Sequence, residues 1–133
     1  DIRSGRSDEE ELTFGLAELE RAIQERGPHN VAAVFLEPIT GASAAAVVPP
    51  EGYLAGVRRL CDQYDVLMIC DETITGFGRT GRWFGFEHGG DVRPDIVTLA
   101  KALGNGMPIG ACWARTEVAA AFAPVTTRCW WRV

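Results

Sequence analysis

The sequence predicts an α/β fold, with a mainly parallel sheet flanked by helices. Three observations carry that expectation. Continuous apolar runs at 31–36, 66–70 and 95–100 stop abruptly at charged residues, namely Glu37, Asp71 with Glu72, and Lys101; such runs suit strands covered on both faces. Stretches of helical period lie before the first run and between the first and second. The second of these joins two strands, so residues 31 to 71 form one βαβ unit, and crossovers of that kind are right-handed and make their strands parallel.

The elements follow in order. Ser7-Asp8-Glu9-Glu10 has the capping-box form, a hydroxyl with a glutamate three residues on, and its acidic residues suit the positive end of the helix dipole. Leu12, Leu16, Leu19 and Ile23 then recur as one apolar face, until Gly27-Pro28 stops the helix. Val31 to Leu36 reads as the first strand, ended by Glu37-Pro38. The stretch from Ile39 to Pro50, with Gly41 and a string of alanines, reads as loop, and Pro49-Pro50 sets up a second helix. That helix carries Tyr53, Val57, Leu60 and Tyr64 on one face, with Arg58 and Arg59 opposite. Val66 to Cys70 and Asp95 to Ala100 read as two further buried strands, Gly110 to Ala114 as another short strand, and Glu117 to Phe122 as the start of a helix.

Chemistry gathers at the strand ends. In open parallel sheets ligands bind at the C-terminal edge, so a carboxylate at 71 and an amine at 101 delivered there mark a candidate site. A lysine after an apolar strand, taken alone, also reads as a solvated end-cap, and an aspartate there as a helix cap. Glu37 is a third carboxylate at the same edge. Glu72 should point to the other side of its strand end and serve structure. Between the strands, Gly76-Phe77-Gly78-Arg79-Thr80-Gly81 opens a glycine and aromatic loop. It reads as a shaped connection or a phosphate cradle, and it is no dinucleotide fingerprint, since it neither follows a strand directly nor opens a helix.

Composition narrows the classes. At 133 residues and 47% hydrophobic, the chain supports one core and not two domains. A net charge of −5 argues against nucleic acid or an anionic membrane as partner. The apolar runs fall short of the ~20 residues of a membrane span, and the first residues have no signal-peptide layout, so the expectation is a soluble cytoplasmic protein. Cys61, Cys70, Cys112 and Cys129 lack metal or redox spacing and read as buried thiols, and His29 and His88 suggest no metal site.

The strings ICDETITGFGRTGRWFGFEH and RPDIVTLAKALGNGMPIGA, preceded by FLEPITGASAAAVVPPEGYLAGVRRLCDQY, resemble the cofactor segment of class-III (ω) aminotransferases, pyridoxal-phosphate enzymes of fold type I. The resemblance covers residues 31 to 124 and implies a portion of that family's large domain. By it, Lys101 forms the Schiff base with pyridoxal 5'-phosphate and moves the proton between substrate and cofactor, a task arginine cannot do because it stays protonated. Asp71 then pairs with the pyridinium nitrogen. Thr73 and Ile74 stand where the family more often shows valine and glutamine; the first position packs on the ring, and Ile74 cannot make the second position's hydrogen bond near the phenolic oxygen. Glu37 either faces an arginine that handles substrate carboxylate or makes a structural hydrogen bond, and the two readings stay open.

The resemblance further implies transfer of an amino group from an amino acid or amine, an ω-amino donor foremost, to an oxo acid such as pyruvate, glyoxylate or 2-oxoglutarate. It implies a homodimer or a dimer of dimers. Decarboxylases and aminomutases of the family share these motifs and are the alternative. Both chain ends read as cut, so the expectation is an internal piece with residues 1–124 in the large domain. Residues 125–133, basic and aromatic, form a tail for which native and non-native origins stay open. Such a piece alone, with unpaired sheet edges and half a site, is expected to be inert and to self-associate.

Overall fold

A computed structural model describes residues 5–41 and 46–121. Residues 1–4, the 42–45 part of the expected loop, the end of the expected last helix at Phe122 and everything to 133, the tail at 125–133 included, lie outside the described residues. Helix α1 (Asp8–Arg26) is capped by Ser7, whose hydroxyl accepts from the Glu10 N–H while Glu10 accepts from the Ser7 N–H at 2.7 Å, so the expected capping box is present. A 3₁₀ turn at Pro28–Asn30 leads into β1 (Ala33–Leu36), two residues later than the apolar run began. Helix α2 (Tyr53–Tyr64) connects β1 to β2 (Leu67–Asp71), and β3 (Ile96–Leu99), β4 (Ala111–Ala114) and the short α3 (Thr116–Ala119) follow.

The sheet order is β1-β2-β3-β4. β1, β2 and β3 run parallel, with Leu36 opposite Cys70 and Asp71 opposite Thr98. β4 closes the order antiparallel to β3, so the sheet is mixed and mostly parallel, the expected α/β class.

The core lies between one sheet face and the helices. Met68 and Cys70 point inward from β2 to meet Leu54, Val57 and Cys61 of α2, and Leu16 and Leu19 of α1 pack against that cluster. Gly56 allows the close approach of the two helices, because a Cβ there would run into Leu16. Tyr64 ties them at the far end, donating its hydroxyl to Glu20 at 2.7 Å and accepting from Gln24 at 2.7 Å.

Two expectations need correction. β1 is not covered on both faces among the described residues, since Phe35 on its outer face is 59% exposed. An apolar run signals burial in an assembled sheet, and here β1 is the edge strand with nothing described over that face. Cys112 on β4 is likewise exposed, whereas Cys61 and Cys70 are buried thiols as expected. Arg58, opposite the apolar face of α2, is 15% exposed and ion-pairs with both Asp62 and the buried Asp95. Among the described residues no helix is long and apolar enough to cross a membrane.

Candidate functional site

Asp71 is the last residue of β2. Alternation turns it away from the side occupied by Met68 and Cys70, so it faces the open side of the sheet beside Thr98. Its Oδ1 accepts from the Thr73 N–H at 2.9 Å and from the Thr98 hydroxyl at 3.0 Å. Partial burial pushes the carboxyl up, but the hydrogen bonds from Thr73 and Thr98 and the charge of Lys101 outweigh it and hold Asp71 below the ordinary aspartate value. It is therefore an anion at neutral pH.

Lys101 lies two residues past the end of β3 and opens a 3₁₀ turn at Lys101–Gly104. Its φ is +45°, the left-handed region that a side chain resists, and Phe77 and Asn105 on the neighbouring loops share it at +58° and +45°. Lys101 and Arg79 together line a cavity of about 620 Å³ floored by Met107, Pro108 and Ile109. Asp71, bonded to the Thr73 N–H, and Lys101 thus stand at or just past the C-terminal ends of two adjacent parallel strands.

Glu37 and Ile74 form a second grouping beside the first. The Glu37 carboxylate accepts the Gly41 N–H, and a Cβ at position 41 would collide with both Glu37 and Ile74. Ile74 and Arg79 line a larger cavity of about 1150 Å³, walled by Pro38, Val48 and Leu54. Arg79 borders both cavities.

The loop between the strands is fastened by Glu72, which is fully buried. Its carboxylate accepts from the Thr75 hydroxyl at 2.5 Å and from the Gly85 and Phe86 N–H groups at 2.8 Å each. Gly76 is required where it stands, because a Cβ would come within 2.8 Å of the Glu72 carbonyl oxygen. The glycine loop is therefore a shaped connection whose two ends are held to the strand that delivers Asp71. The strand alternation foresaw the direction of Glu72 but not its three partners. Thr98 was missed altogether, although a lone polar residue within Ile96-Val97-Thr98-Leu99 was a signal for it.

The sequence profile described as aminotransferase class-III matches residues 3–128. The chain belongs to the class-III aminotransferases. Within this family it is 52% identical over 103 residues to an acetylornithine aminotransferase of Methanopyrus kandleri, a match covering 77% of this chain and 26% of that protein. It is 45% identical over 100 residues to a taurine–pyruvate aminotransferase of Bilophila wadsworthia, covering 75% and 22% respectively. Among solved structures, a thermostable (S)-enantioselective ω-transaminase from Thermomicrobium roseum superposes with a TM-score of 0.85 at 40% identity, over 94% of this chain and 28% of that one. An ω-transaminase from Pseudomonas jessenii gives 0.81 at 38% identity, over 88% and 26%. This class-III aminotransferase chain therefore spans about a quarter of the length of the relatives it matches.

Proposed function

We propose that the chain is the portion of an aminotransferase large domain that holds pyridoxal 5'-phosphate, with Lys101 and Asp71 as its two anchors. Residues 1–124 belong to that domain in this reading. The donor set suits the group. A carboxylate kept ionised by Thr73, Thr98 and Lys101 matches a protonated ring nitrogen, and a primary amine at the next strand end matches an aldehyde. Lys101 is also the sole lysine of the sequence. When bound, pyridoxal phosphate supplies an electron-withdrawing ring that accepts the electron pair released at the substrate carbon.

The chain's own residues do the rest. Asp71 stays ionised and so favours the protonated ring nitrogen, on which the electron-withdrawing power depends. Lys101 is the residue whose amine would hold the cofactor's aldehyde. Its amine would also carry the proton from the substrate carbon to the cofactor, which needs a group that can lose its own proton. Its left-handed backbone is the kind of local strain that clusters at working sites. Thr73 offers a β-branched side chain to the ring. Ile74, next to it, presents an apolar wall to the larger cavity.

Substrates follow from the family and from the relatives' names. The donor is an amino acid or amine, ω-amino donors foremost, and the acceptor is an oxo acid. In this reading Glu37, whose carboxylate accepts the Gly41 N–H, bears on substrate fit and not on the chemical step. A homodimer or a dimer of dimers follows from the family.

The observation that carries this reading is that β2 and β3 pair in parallel, one ending at Asp71 and the other leading into Lys101, whose positive charge favours the ionised Asp71 carboxylate. Its test is cofactor binding by the full-length enzyme. Lys101→Ala should abolish the visible absorbance of bound pyridoxal phosphate, and Asp71→Asn should weaken binding by more than about tenfold. Native-like spectra and affinity in both variants would refute it. A second reading, that the 133-residue piece alone is inert, draws on the open outer face of the sheet at Phe35. Purifying that piece and finding tight cofactor binding would remove it.

A further inference from the structure

Asp71 is useful to a ring nitrogen only if its carboxylate is held in one orientation, and the β3 strand supplies the means. Thr98 is the one polar residue of Ile96-Val97-Thr98-Leu99, and the β2–β3 register sets it directly opposite Asp71 on the same sheet face. Its hydroxyl donates to Asp71 Oδ1 at 3.0 Å. Its carbonyl meanwhile accepts the Glu72 N–H at 2.9 Å, so the backbone on either side of the contact is fixed. A β-branched side chain has few χ1 choices, and the hydroxyl direction is therefore dictated by the strand.

We propose that Thr98 is a positioning residue, acting through Asp71 to aim the carboxylate that meets the cofactor. The proposal rests on the reading of Asp71 given above. With the Thr73 N–H, the Thr98 hydroxyl occupies Oδ1 from two directions and stops the carboxylate from turning about its terminal bond. A valine at 98 keeps the shape of the strand and loses the donor. The carboxylate is then held by the Thr73 loop alone, and the strand no longer sets its direction. Lys101 is the charged group that acts on Asp71 from beyond β3. From β4, Cys112 stands opposite Thr98 in the register and is the titratable neighbour on that side.

The experiment uses the full-length enzyme in its cofactor-free form, with aspartate carboxyl carbons labelled for NMR, and compares the native protein with Thr98→Val and Thr98→Ser. In Thr98→Val the Asp71 titration should move up toward the ordinary value of about 3.9. Thr98→Ser, which keeps the hydroxyl, should restore the native titration. Pyridoxal phosphate affinity should fall about tenfold in Thr98→Val, the loss expected for one hydrogen bond to a charged group, and stay close to native in Thr98→Ser. An unmoved Asp71 titration in Thr98→Val, or equal shifts in both variants, overturns the proposal. Native cofactor affinity in Asp71→Asn overturns instead the reading of Asp71 on which it rests. The cofactor-free titration tells the two failures apart.

Discussion

Asp95 Oδ2 lies 2.7 Å from Arg58 Nη1 and accepts the Met68 N–H at the same distance. Its Oδ1 pairs with Arg115 Nη2 at 2.6 Å. One fully buried carboxylate therefore joins α2, the start of β2 and the residue after β4, at the end of the sheet opposite the candidate site. Asp95→Ala would leave the half-buried Arg58 without its main partner, and breaking a buried pair in this way costs about 3 kcal/mol or more. Urea unfolding should show that loss, with Arg115→Gln costing less because its side chain is 48% exposed. Equal stability of Asp95→Ala and the native protein would contradict the assignment.

The Glu72 fastening predicts a local effect. Glu72→Ala strips the acceptor from the Gly85 and Phe86 N–H groups, and each unsatisfied buried donor costs about 1–3 kcal/mol. Hydrogen exchange at those two amides should quicken far more than at Leu54 or Val57 in the core. A uniform quickening throughout the protein would mean that Glu72 does not act on the loop.

How much of this was legible in the sequence varied with the range of the interaction. The Ser7 capping box, the α1 face and the strand ends at Asp71 and Lys101 were readable because each rests on neighbours within one or two turns of chain. The Asp95 cluster was not, since Arg58, Met68 and Arg115 come together only when α2, β2 and β4 are in place. Apolar content could not separate an edge strand from a central one, which is why Phe35 and Cys112 were misjudged. The register of Asp71 against Thr98 was likewise invisible until β2 and β3 were paired, although both strands had been recognised. The family resemblance pointed to Lys101 and Asp71 but carried nothing about what holds the carboxylate.

Thiol chemistry should follow burial. Cys112 is exposed, while burial pushes the Cys70 thiol up to about 12, with the Glu72 charge adding to it. Alkylation followed by peptide mapping should label Cys112 in the native protein and reach Cys61 and Cys70 only on unfolding. The raised Cys70 value favours the folded state below the unfolded thiol value of ~8.5, and this contribution is lost as pH rises from there through about 12. Rapid native labelling of Cys70 would contradict the placement of β2 against α2.

Asp71 sets the opposite sign. Its folded value lies below the ordinary one, so it contributes stability above the unfolded value of ~3.9 that disappears as pH falls through the folded value. Asp71→Asn should therefore flatten the acid limb of the stability profile and leave the alkaline limb untouched. The effect is small, because the carboxylate is only partly buried and solvent screens it. An unchanged acid limb would show that its neighbours do not favour the anion.

The central claim is that the amine at 101 and the carboxylate at 71 serve one cofactor. Its most direct measurement is borohydride reduction of the full-length enzyme with pyridoxal phosphate, followed by digestion and mass mapping. A phosphopyridoxyl mass is expected on the peptide carrying Lys101, with a much reduced yield in Asp71→Asn at limiting cofactor. A label confined to other lysines, or an equal yield on Lys101 in Asp71→Asn, would contradict it.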